Sequence, residues 1–161
     1  MPLSNFVTTV LLICHGILAV ILLGALTHQV IAAIAIQEVS GRAGLFPSLR
    51  RVRPELYTTS IVILYVATAL LGGIIYTSYR VHVRPFLEAM HLWSAHGLFE
   101  LKEHFVAIGL GVLPAYWHCW NDQDNSVNLL SRIAITVFLA FTVWWGFLIG
   151  HVLNNIRGFG V

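Results

Sequence analysis

Residues 6–36 read FVTTVLLICHGILAVILLGALTHQVIAAIAI, an apolar run without one Asp, Glu, Lys or Arg. About 20 apolar residues suffice to cross the hydrocarbon core of a bilayer as an α-helix. Backbone groups in lipid are satisfied only within a helix or a closed barrel, and the alternation of a barrel strand is absent here. The run therefore predicts a transmembrane helix. No basic residue precedes it and its apolar stretch is too long for a cleaved leader, so it is expected to stay as a span. Two histidines, His15 and His28, lie inside it. An ionisable side chain within a span is costly, which makes each a candidate functional residue.

Working outward, three further apolar stretches fall at about 57–79, 99–117 and 129–153. The 161 residues are 58% hydrophobic and 10% charged, far too little charge for a water-soluble domain of this size. The expected fold is an all-α membrane protein forming one integral membrane domain over 1–161. Four transmembrane helices (about 6–36, 57–79, 99–117 and 129–153) make an up-down bundle. A longer loop between the second and third holds a short interfacial helix near 86–92. Gly72-Gly73 allows close approach of a neighbour or cofactor, and Pro114 is expected to kink the third span. The net charge of +2 gives no ground for nucleic-acid binding. Cys14 and Cys119 are single and far apart, which excludes C-x-x-C metal, iron–sulfur and c-type haem motifs.

Basic residues divide five against four between the two faces. Arg42, Arg50, Arg51, Arg53 and Arg132 lie on one side, and Arg80, Arg84, Lys102 and Arg157 on the other. The positive-inside rule then places the N-terminus outside, with a bacterial inner (cytoplasmic) membrane as the expected location.

The first span's histidines are answered on the third by His104 and His118. The two spans run in the same direction, so the four residues fall into two levels roughly 20 Å apart. A haem iron held by two imidazoles takes one histidine from each of two facing helices. At about 100° per residue, the separation of His104 from His118 returns to within roughly 40° of one direction, so both share a face. His15 and His28 diverge by roughly 140°. Gly16 and Gly24 then permit local tightening, or the two serve different neighbours, or His151 on the fourth span replaces His15 as outer ligand. At the inner level only His28 and His118 are present. Gly16, Gly24, Gly109 and Gly111 supply small positions beside a flat macrocycle. Arg80 and Arg84 are suited to its propionates, and equally to anchoring a helix end in headgroups.

The paired histidines His15/His28 and His104/His118 resemble the arrangement of four-helix transmembrane b-type cytochromes, the fold class of quinol-oxidising haem proteins. That resemblance implies two b-type haems (one is the smaller alternative) and transmembrane electron transfer. It also implies work beside other membrane or periplasmic redox subunits, with a quinone as a further partner. A second likeness, carried by His15-Gly16-Ile17-Leu18-Ala19 followed by Gly24, is to CopD-like and protoporphyrinogen-oxidase-like four-helix membrane proteins. These carry a histidine early in the first span and a lysine in the third, the place of Lys102, and again imply haem or porphyrin.

Two other readings compete. Glu100, Glu103 and His104, with His82, His91, His96 and His151 on the same side, suit a copper, zinc or di-iron site. A non-catalytic membrane subunit or assembly factor would instead use the charged turn and loop histidines as interfacial residues. Trp144-Trp145 either lines a lipid or quinone contact or simply packs. Whether a substrate is turned over, and so whether the chain is an enzyme, stays open.

Overall fold

A computed structural model describes residues 5–37, 54–122 and 128–159. The arginines of the first connection (Arg42, Arg50, Arg51 and Arg53), on which the orientation count turns, lie outside the described residues. Every regular element described is helical. Helix α1 spans Asn5–Gln37, α2 Thr58–Ser78, α3 Arg84–Ala89, α4 Trp93–Asn121 and α5 Leu129–Phe159. A 3-10 turn, Pro54–Tyr57, leads into α2, and a π-turn, Tyr79–Val83, joins α2 to α3. The expected all-α class holds.

Three helical stretches are long and apolar enough to cross a membrane: Phe6–Ala35, Glu55–Ala89 and Leu129–Leu153. Helix α4 is long enough but less apolar. Glu100, Lys102, Glu103 and His104 occupy its first half, and Tyr116 to His118 close its apolar stretch. The second stretch differs from the expected 57–79. Its 35 residues extend about 50 Å, against a hydrocarbon core of about 30 Å. The short helix expected near 86–92 is observed as α3, continuous with α2 rather than separate. Pro85 has no amide to extend the α-helical ladder. The chain widens just before it, with the Arg84 N–H donating to the Tyr79 carbonyl five residues back.

The reversal into α4 closes with Leu92 N–H on the Leu87 carbonyl (2.9 Å) and His91 N–H on the Glu88 carbonyl (3.0 Å). This is the bonding of a Schellman cap, which puts its penultimate residue in the left-handed region. His91 fills that position with φ of 56°. Asn128 begins α5, its side-chain carbonyl accepting the Leu130 N–H as an N-cap does.

Helix α1 packs on α2 and α5, and α4 packs on the same two, so α1 and α4 occupy opposite corners. Leu22, Leu26, Ile61, Tyr65, Leu113, Tyr116, Trp120 and Leu139 fill the shared core. Tyr79, Leu87 and Ala95 form a second cluster at the end where α4 begins. The outward side of α1, with Ile13, Ile17, Val20 and Ile21 exposed, is the surface a lipid environment would cover.

Candidate functional site

Polar side chains gather at both ends of the bundle. At the end carrying the start of α1 and the turn into α4, the His15 Nδ1 lies 3.1 Å from the Thr68 carbonyl oxygen. A carbonyl only accepts, so Nδ1 carries the proton and Nε2 is left with its lone pair. Thr68 and Gly72 lie one helical turn apart on α2, and the absence of a side chain at Gly72 opens the carbonyl to the ring. A Cβ there would sit 3.2 Å from His15 Cε1. The sequence-based expectation that the Gly72-Gly73 pair admits a close neighbour is met by this imidazole.

Lys102 comes to the same level from α4. Its aliphatic stem runs along α5, where a Cβ on Gly146 would meet Cγ at 3.9 Å and one on Gly150 would meet Nζ at 3.9 Å. Small residues here let the long side chain lie flat with its head in the bundle, and only 16% of it is exposed. The ammonium stands 5.0 Å from the Phe99 ring centre and 3.8 Å from Glu103, and it interacts electrostatically with His15. Phe99 stacks on Tyr79 with ring centres 3.7 Å apart, and Tyr76 stacks beside both. The Arg80 guanidinium lies over Tyr76, whereas Arg84 is engaged with Glu88 at 2.7 Å.

The opposite end is built mainly from neutral polar groups, with Arg132 as its one buried cation among the described residues. Tyr116 donates to the Gln29 carbonyl, and the Gln29 amide reaches the Thr58 hydroxyl at 3.5 Å. All three are fully buried. Trp120 Nε1 donates to Thr136 (2.9 Å), which donates to the Arg132 carbonyl (2.7 Å), and the Arg132 guanidinium lies over the Trp120 ring. Midway, the Tyr65 hydroxyl meets Thr142 (3.2 Å) and the Val106 carbonyl (3.4 Å). It fills the place a side chain on Gly109 would take.

The other candidate ligands are distributed as follows. His28 packs edge-on against Tyr57 with centres 5.6 Å apart. His104 holds its Nδ1 on the Glu100 carbonyl (2.7 Å) and is exposed. His118 and His151 are exposed. His104 and His118 do share one face of α4, but it is the outward face. Its residues Ala107, Gly111 and Ala115 between them are exposed too. The axis at the level of His28 and His118 is occupied by Gln29, Thr58 and Tyr116. Among the described residues no three of His, Cys, Asp and Glu converge as metal ligands. Gly109 is closed by Tyr65, while Gly16, Gly24 and Gly111 meet nothing within 4 Å. Trp144 donates to Thr27 (3.0 Å), and Trp145 packs against Phe105 and Phe141.

Sequence reasoning missed the Gln29–Thr58–Tyr116 network and the Tyr65–Thr142 tie, which join residues distant in the chain. It also missed the contact of Tyr79 with His96, although the spacing of His96 and Glu100 is that of neighbours on one helix face. Compared with protein-family models, with curated proteins and with solved structures, the chain matches none.

Proposed function

We propose that this is a membrane redox protein holding one b-type haem at the Lys102 end of the bundle, with His15 as axial ligand. The observation that carries the reading is the His15 imidazole. Its Nδ1–H is anchored on a backbone carbonyl and its Nε2 is free, the arrangement that orients a ligating histidine and fixes its tautomer. The donor set at this end fits the group. Lys102 and Arg80 are cations within the same aromatic cluster, suited to carboxylate-bearing propionates, and Arg84 already has a carboxylate partner. Bound there, haem would supply one-electron chemistry. The chain's own residues would hold it, exclude water with the stacked Tyr76 and Phe99 rings, and set the surrounding charge.

The level of His28 and His118 supports the haem reading less. Its axis is filled by a saturated hydrogen-bond network, and the proposal therefore takes the one-haem form. Helix α4 is inferred to cross as a fourth span, because Ala95, Gly109, Leu113, Tyr116 and Trp120 bury one side of it against its neighbours and its charged residues fall in its first half. Electron transfer between a quinol or a partner redox subunit and the haem, in a bacterial inner membrane with the N-terminus outside, completes the reading.

The test is a dithionite-reduced minus air-oxidised spectrum of the detergent-purified protein, with pyridine-haem stoichiometry. One b-type haem per chain is expected. Two would restore the inner site, and none, after expression with ample haem, ends the cytochrome reading.

A further inference from the structure

Beside the Lys102 cluster runs a chain of hydrogen bonds that the haem reading does not use. The Tyr79 hydroxyl lies 3.2 Å from His96 Nδ1, and His96 Nε2 lies 3.2 Å from Glu100 Oε1. The chain has a sense. An ionised carboxylate only accepts, so Nε2 carries the imidazole proton. Nδ1 of the neutral ring is then an acceptor, and the phenol must donate to it. Exposure rises along the chain from 8% at Tyr79 to 13% for the His96 side chain and 49% for that of Glu100. One end lies inside the bundle and the other at its surface.

The backbone is shaped for this. Tyr79 is the first residue of the π-turn, a rare local widening that recurs at functional sites. Its ring stacks on Phe99, the residue over which Lys102 places its ammonium.

We propose that Tyr79, His96 and Glu100 form a proton relay between the Lys102 end of the bundle and water. The proposal rests on the haem reading for its use, which is oxidation of a quinol beside Phe99. Two O–H bonds of the quinol break, and its two electrons leave one at a time to ferric haem, which a one-electron acceptor on a partner redox subunit would reoxidise between them. Its two protons leave one at a time through the relay. In each passage the phenol gives its proton to Nδ1 while the Nε2–H proton moves to Glu100. The phenolic oxygen takes the quinol proton in its place, and Glu100 releases its proton to water. The ring then turns to solvent, takes a proton at Nε2 and gives up the one at Nδ1, which restores the starting tautomer with no net change in protons.

The test is stopped-flow reduction of the full-length haem-loaded protein by duroquinol, in H2O and D2O, for wild type, Tyr79→Phe and Glu100→Gln. Tyr79→Phe keeps the ring stack and is expected to retain haem. Duroquinol reduction should fall on the order of a hundredfold, the lower range for a positioned proton-transfer group, and the solvent isotope effect should vanish. Reduction by dithionite, which needs no proton exit, should be unchanged. Wild-type duroquinol kinetics in Tyr79→Phe would overturn the relay while leaving the haem intact. A haem-free wild type would overturn the functional reading, and nitrogen NMR of labelled histidine then decides the chain alone. An Nε2–H tautomer at His96 that is perturbed by both substitutions supports it, and an Nδ1–H tautomer overturns it.

Discussion

The two ends of the bundle are both polar, and they handle that polarity in opposite ways. At the Tyr116 end, neutral groups close on one another: Tyr116, Gln29 and Thr58 in one network, Trp120 and Thr136 in another. At the Lys102 end, His15 keeps an unbonded Nε2, Lys102 is an inward cation, and a hydrogen-bonded chain leads from Tyr79 to the surface. Saturated neutral networks specify how helices dock, since a buried polar group without a partner is expensive. Groups with unsatisfied capacity and charge are free to bind. The contrast is why the proposed chemistry is placed at the Lys102 end.

The largest effect that would break this contrast concerns haem. His15→Ala should remove essentially all haem absorbance, whereas His118→Ala should leave it intact, both read by pyridine-haem assay. Haem lost from His118→Ala and kept in His15→Ala would reverse the assignment of the two ends. Next in size is Gly109→Ala, which drives a methyl group into the Tyr65 ring. Overpacking of this kind costs about 1–3 kcal/mol, read as a lower thermal midpoint in detergent. Tyr116→Phe should lower stability by about 1–3 kcal/mol by leaving Gln29 short of a donor, without altering haem content. Adding Gln29→Leu to it should recover part of the loss. A change in haem content on Tyr116→Phe would mean that the quiet end is not merely structural. The smallest effect runs the other way. His91→Gly relieves the left-handed backbone and should add about 1 kcal/mol, marking His91 as a cap rather than a ligand.

Much of the fold was legible in the chain. Apolar length alone announces α1 and α5, and a short helix is expected near where α3 lies, though not its continuity with α2. The shared face of His104 and His118 also follows from spacing, because helical periodicity is local. What spacing leaves open is which way that face points. The outward turn of α4 depends on Leu113, Tyr116 and Trp120 going inward, which is settled by the competition of all faces for the core. Of the four expected spans, three are long and apolar enough to cross a membrane; the charged residues of α4 lower its hydropathy, and where they sit is set by packing that hydropathy does not reveal.

By itself, then, the sequence determined that the chain is helical, that it holds apolar stretches long enough to cross a membrane, and that its charged residues are few. These are properties of composition and of period, each readable within a stretch of chain. Tertiary structure decided the rest. It placed α1 and α4 at opposite corners, set His15 into the gap left by Gly72, drew Lys102 along Gly146 and Gly150, and joined Tyr79 to His96. Each of those meetings depends on the rotation of one helix about its axis against another. That rotation is fixed by packing among residues far apart in the chain, which no local pattern encodes.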